Sequence, residues 1–130
     1  MTTRDLKNNI DPVASLDPAV RPTGTYNGTG IDLMGYQSAL MMVQFGAYTN
    51  GTHTPGLEHS DDNSSYSAVT AADLDGSFTA INAAAPGTVQ KVGYRGSKRY
   101  VRATMVVTSG ATGAASSASI IRGRPNSAPV

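Results

Sequence analysis

From Arg99 to Thr108 the chain alternates strictly. Val101, Ala103, Met105 and Val107 fall on one side of an extended backbone, and Tyr100, Arg102, Thr104 and Val106 on the other. A period of two matches a half-buried strand and does not fit a helix. The same period runs from Ala39, with Met41, Val43 and Phe45 on one face and Leu40, Met42 and Gln44 on the other, between Gly35 and Gly46. No segment carries a comparable helical repeat. The chain is therefore expected to be all-β, an antiparallel sandwich or barrel of about eight short strands with an extended N-terminal arm.

The remaining elements follow from turn chemistry. Residues 1–29 read as the arm, because Asp11-Pro12, Asp17-Pro18 and Arg21-Pro22 each remove a backbone donor and bias the preceding residue away from the helical region. Its apolar residues Ile10, Val13, Leu16 and Val20 are too sparse for a core and are expected to lie on a partner surface. Residues 30–124 form the β-domain. Ile31–Leu33 leads into the Ser38–Tyr48 strand, and Asn50-Gly51 suits a type I′ hairpin turn into a strand at Leu57–Ser60. Asp61–Ser65 is a polar turn, Tyr66–Val69 a short strand, and Ala71–Asp75 holds one helical turn, with Phe78 and Ile81 plugging the core. Strands are also expected at Gly87–Tyr94 and Ser117–Gly123, the latter after a loop at Ser109–Ser116. Residues 125–130 are a tail.

Ala, Gly, Ser and Thr make up 58 of the 130 residues, and Leu, Ile, Val and Phe only 23, so the core must be thin and built from small side chains. Disorder is not the consequence, because the formal net charge is only +1. A free domain of this size buries about two-thirds of its unfolded surface, a modest reserve that a partner surface would supplement. The small net charge hides an asymmetry. All nine acids lie within residues 1–75, while residues 76–130 carry seven Lys/Arg and no acid. Arg95, Lys98, Arg99 and Arg102 are the basic candidates for an interface, the alternative being that neighbouring strands balance these charges.

Chemistry is sparse. With no Cys there is no disulfide framework, thiol nucleophile or Cys-ligated zinc. His53, Glu58 and His59 match no recurrent metal spacing, and adjacent Glu58 and His59 would point to opposite strand faces. Asp61-Asp62-Asn63-Ser64-Ser65 lacks the glycine and the bidentate acid of a calcium loop, Tyr66 and Ala72 standing there instead. No nucleophile motif or phosphate-binding glycine loop occurs, so no catalytic residue and no cofactor is expected. Tyr94–Tyr100 interleaves aromatic and basic residues, but one hairpin without a further stacking platform does not make a nucleic-acid site. The longest apolar run is Ala39–Val43, far short of a membrane span, and the first residues lack a signal-peptide core.

Three blocks carry a family likeness. Leu6-Lys-Asn-Asn-Ile10, Gly56–Val69 with Ala71-Ala-Asp-Leu74, and Val92-Gly-Tyr-Arg-Gly-Ser-Lys-Arg-Tyr-Val-Arg102 resemble small proteins from tailed-bacteriophage structural gene clusters. That family is similar to capsid cement, or decoration, proteins with a jelly-roll-like fold. The resemblance implies a non-enzymatic protein on the outer capsid surface of a virion assembled in the host cytoplasm. Its implied partners are the major capsid protein, whose neighbouring subunits it would clamp, and further copies of itself as a dimer or trimer at a lattice axis. A neck or tail structural protein and a host-glycan-binding head appendage are the alternatives.

Overall fold

The computed structural model describes residues 4–84, 88–127 and 129. Among them the strands are β1 Ile10–Arg21, β2 Gly24–Asn27, β3 Ile31–Asp32, β4 Tyr36–Tyr48, β5 Thr52–Ser60, β6 Ser67–Ala68, β7 Leu74–Asp75, β8 Val89–Tyr94, β9 Tyr100–Thr108 and β10 Ala114–Pro125. They form two five-stranded antiparallel sheets. Sheet A runs β1-β10-β4-β8-β7, and sheet B runs β2-β9-β5-β6 with β3 also on β9. Helical structure among the described residues is confined to single 3-10 turns at Lys7–Asn9 and Ala71–Asp73.

The ladders explain the shape. Ile10 pairs with Gly123, Gly24 with Val107, Ala39 with Tyr94 and Glu58 with Ala68. All of these pairings are concentric about the Asp61–Tyr66 loop. The chain is thus one long two-ply ribbon bent back at that loop. Rolling the ribbon brings β10 against β4 and β9 against β5, which closes two sheets over one core. This is the jelly-roll winding, as a sandwich.

The core follows the sequence period. Met41, Val43 and Phe45 on β4, Val101, Ala103, Met105 and Val107 on β9, and Ala118 and Ile120 on β10 are all 1% exposed or less. Ile81 is buried too, its backbone exchanging hydrogen bonds of 2.8 and 2.9 Å with His53, and Phe78 is half-buried against the cluster.

Four expectations are corrected. The expected arm is in large part a strand: β1 pairs with β10 from Ile10 to Arg21, with bulges around Leu16. Its prolines, Pro12 and Pro18, are compatible with pairing because β1 has a neighbour on one side only. Asn50-Gly51 does not close a hairpin, because β4 lies in sheet A and β5 in sheet B. Gly51 alone has the positive φ, +96°, whereas a type I′ turn needs two. Instead the Asn50 carboxamide oxygen accepts from Thr112 and Gly113 backbone N–H at 3.1 and 2.8 Å, tying this crossing to the β9–β10 loop. That loop is shorter than expected, since β10 already begins at Ala114. The strand also continues through Pro125, and Asn126 N–H donates to the Gly35 carbonyl at 2.8 Å, so the expected tail starts as fixed structure. Gly87, Ala128 and Val130 lie outside the described residues.

Candidate functional site

The four apolar candidates on β1 part company. Alternation about the bulges turns Val13 and Leu16 inward: Leu16 is 6% exposed in the core and Val13 packs against it. Ile10 is half-buried and Val20, at 58% exposure, faces outward. They do not form one docking stripe.

The four basic candidates are each committed to an acid. Arg95 pairs with Asp75 at 3.1 Å, Lys98 with Asp61 at 2.8 Å, Arg99 with Asp32 at 2.8 Å and Arg102 with Glu58 at 2.6 Å. Arg122, not singled out from the sequence, pairs with Asp11. Four of the five acids, Asp11, Asp32, Glu58 and Asp61, come before the bend or open it, and their bases come after it; Glu58 lies directly opposite Arg102 and Asp11 opposite Arg122. Asp75 and Arg95 lie on the same ply, beside the β7–β8 pairing. Arg99 donates to both oxygens of Asp32, which holds that carboxyl at about 2, well below its ordinary value. The charge asymmetry is therefore cross-strand neutralisation and not a free basic patch.

The histidines are structural. His53 is fully buried, its Nε2 lying 3.0 Å from the Asn50 carbonyl, with Phe45 and Tyr48 edge-on to its ring. The Tyr94 hydroxyl and His59 Nδ1 lie 2.9 Å apart. Both rings point inward, whereas Glu58 points outward to Arg102, so this trio does not converge. No group of three His, Cys, Asp or Glu able to hold a metal occurs among the described residues. At the ribbon tip, Asp62 accepts from the N–H of Ser65 and Ser64, both at 2.9 Å, and from the Ser60 hydroxyl at 2.8 Å. These donors lower its carboxyl to about 2. The loop is the self-contained polar turn the sequence suggests.

Two residues escaped the sequence reading. Ser15 joins the sheets at the β1 edge: its hydroxyl donates to the Thr29 carbonyl at 2.8 Å and accepts the Ala103 N–H of β9 at 2.9 Å. Arg21 is 6% exposed and has no carboxylate partner among the described residues. Its guanidinium instead donates to the carbonyls of Asp17 at 2.6 Å and Ser116 at 2.5 Å, and burial lowers its pKa. A serine and an arginine beside prolines have no sequence signature for such roles.

One cleft of 390 Å³ opens between the β3–β4 turn and the β8–β9 turn, lined among others by Met34, Tyr36, Ser97 and Lys98. Its cations are already paired and Tyr36 lies beneath Arg122, 4.5 Å from ring centre to guanidinium carbon, so it presents no free charge and no bare aromatic platform. What remains for recognition is the pair of outer sheet faces. Sheet B shows threonines and the Arg102–Glu58 pair, with Arg102 4.1 Å over the Tyr66 ring. Sheet A shows small and apolar side chains.

Neither the protein-family models nor the curated proteins contain a match to this chain. Among solved structures, the crystal structure of PBSX exported protein XepA is similar, with a TM-score of 0.54 at 23% identity over 87% of this chain. The match covers 37% of that protein, so this chain spans little more than a third of its length. The likeness is one of fold: a β-sandwich wound in the same way occurs in a larger protein.

Proposed function

We propose that this protein is a non-enzymatic structural component of a phage virion, a cement protein that docks on the outside of the capsid and bridges neighbouring major capsid subunits. The observation that carries the reading is the disposition of charge. Acids and bases neutralise one another across strands, leaving flat, largely neutral sheet faces with no converging reactive groups among the described residues. Such a body suits docking in many copies. The likeness of the Gly56–Val69 and Val92–Arg102 blocks to the cement family supports the same reading.

The energetics favour a role in many copies. Each bound copy raises the free energy of shell disruption by its own binding contribution, about 2.7 kcal/mol at a hundredfold excess over Kd. Multiplied over a lattice, weak binding resists internal pressure. The test is to quantify this chain against the major capsid protein in purified particles, then to strip it and heat the particles. A cement role gives copies in proportion to capsid subunits and earlier DNA loss from stripped particles, reversed by adding the protein back. About a dozen copies or fewer would place it at the neck or tail. Unchanged heat resistance with lost adsorption to host cells would make it an appendage.

A further inference from the structure

The outer face of sheet A is unlike the rest of the surface. In register across β1, β10, β4 and β8 run Pro12, Ile121, Leu40 and Gly93, and beside them Ala14, Ser119, Met42 and Lys91. Leu40, Met42 and Ile121 remain partly exposed, and Val20 and Val89 flank them at 58% and 51% exposure. Among the described residues, Lys91 is the one charge that β10, β4 and β8 place on this face, and the exposed β1 bulge adds Asp17. The Asp75–Arg95 pair sits at the β7 rim. A soluble chain with so thin a core gains little by keeping a neutral apolar stripe in water.

We propose that this face is a self-association surface, on which a second copy of the chain docks sheet against sheet about a two-fold axis parallel to the strands. Three features favour a second copy as the occupant. First, a nearly uncharged face is compatible with its own image, as an isologous contact demands. Second, that axis sets β1 of one copy over β8 of the other. It brings Lys91 to the exposed β1 bulge holding Asp17, and neither residue takes part in an ion pair among the described residues. Third, the area approaches that of a small specific interface. β1, β10 and β4 pair over nine or ten residues and β8 adds six, so at about 4.8 Å strand spacing they present on the order of 500–600 Å². A partner in a standard interface contributes about 800 Å². The small residues Ala14, Ser117 and Ser119 permit the roughly 10 Å approach of packed sheets. Pairing through the β1 edge is disfavoured, because Pro12 and Pro18 blunt it. The proposal is independent of the virion reading.

Light scattering on the purified full chain tests it, together with a short bis-maleimide cross-linker, since the chain has no cysteine to interfere. The wild type is expected at twice 13.4 kDa. Leu40→Asp, which leaves a charge unpaired in the contact, should raise the dimer dissociation constant about a hundredfold while preserving the far-UV circular dichroism. Ser119→Cys should cross-link to a dimer and Thr104→Cys, on the outer face of sheet B, should not. Should Leu40→Asp fail to fold, the contrast between the two cysteine variants decides. A wild type that stays monomeric at high micromolar concentration overturns the proposal, as does cross-linking through Thr104→Cys alone. If Ser119→Cys is protected from maleimide only when other virion proteins are added, the face belongs to a foreign partner and self-docking is wrong.

Discussion

Ser15 shows how much one small polar side chain decides in a thin core. It supplies an acceptor for a buried N–H of sheet B and a donor for the Thr29 carbonyl, while its own carbonyl accepts the Thr29 N–H at 2.8 Å. The chain passes so close that a β-carbon on Gly28 would stand 2.4 Å from the Ser15 hydroxyl oxygen and 2.5 Å from its carbonyl. Ser15→Ala is expected to cost about 1–3 kcal/mol, because it strands a buried N–H. Gly28→Ala should cost more, because two backbones must part. Urea denaturation reads both. A Gly28→Ala protein as stable as the wild type would mean that the sheets are not joined here. Gly28 is legible as a loop glycine by composition, but the neighbour that demands it lies in a different strand and only the fold brings it there.

At the scale of elements, β1 is the place where sequence and structure part. Three Asp-Pro or Arg-Pro steps read as an arm because each proline removes a donor. An edge strand needs only half of its donors, so the same residues are compatible with pairing once β10 is beside them. The consequence is testable by truncation. Deleting residues 1–24 exposes the flank of β10, removes Leu16 from the core and takes Arg21 from its carbonyl cage. The truncated chain is expected to lose cooperative unfolding. Leu16→Ala alone should cost about 2–4 kcal/mol. A truncated protein with native circular dichroism and a sharp melt would restore the arm reading. By contrast β4 and β9 were legible to within two residues, because a central strand writes its burial into every second residue.

For the whole molecule, stability is expected to follow pH through one carboxyl that pairs distant parts of the chain, Asp32 with Arg99, and one held within its own turn, Asp62. Asp32 and Asp62 both titrate at about 2 in the folded protein, the first through Arg99 and the second through the N–H groups of Ser65 and Ser64. Their ordinary value lies near 3.8. A carboxyl depressed by folding adds stability that is complete above the unfolded value and is lost as pH falls through the folded one. Thermal stability is therefore expected to be flat from neutrality to about pH 4 and to fall between about pH 4 and 2. In Asp32→Asn and Asp62→Asn that fall should be shallower, followed by circular dichroism melts. An unchanged slope in both variants would show that these carboxylates do not carry the acid response.

The sequence by itself determined the class of fold, the alternating strands of the core and the self-contained Asp62 turn. Those depend on residues near one another along the chain, and a period of two or an Asx turn is a local signal. It also displayed the unequal charge of the two halves without saying what the charges face. Tertiary structure alone decided which acids Arg95, Lys98, Arg99 and Arg102 meet, that β1 is an edge strand, and that Asn50-Gly51 crosses between sheets. Each depends on which strands become neighbours when the ribbon rolls. That is set by the joint burial of two faces over one core, and no single segment records it.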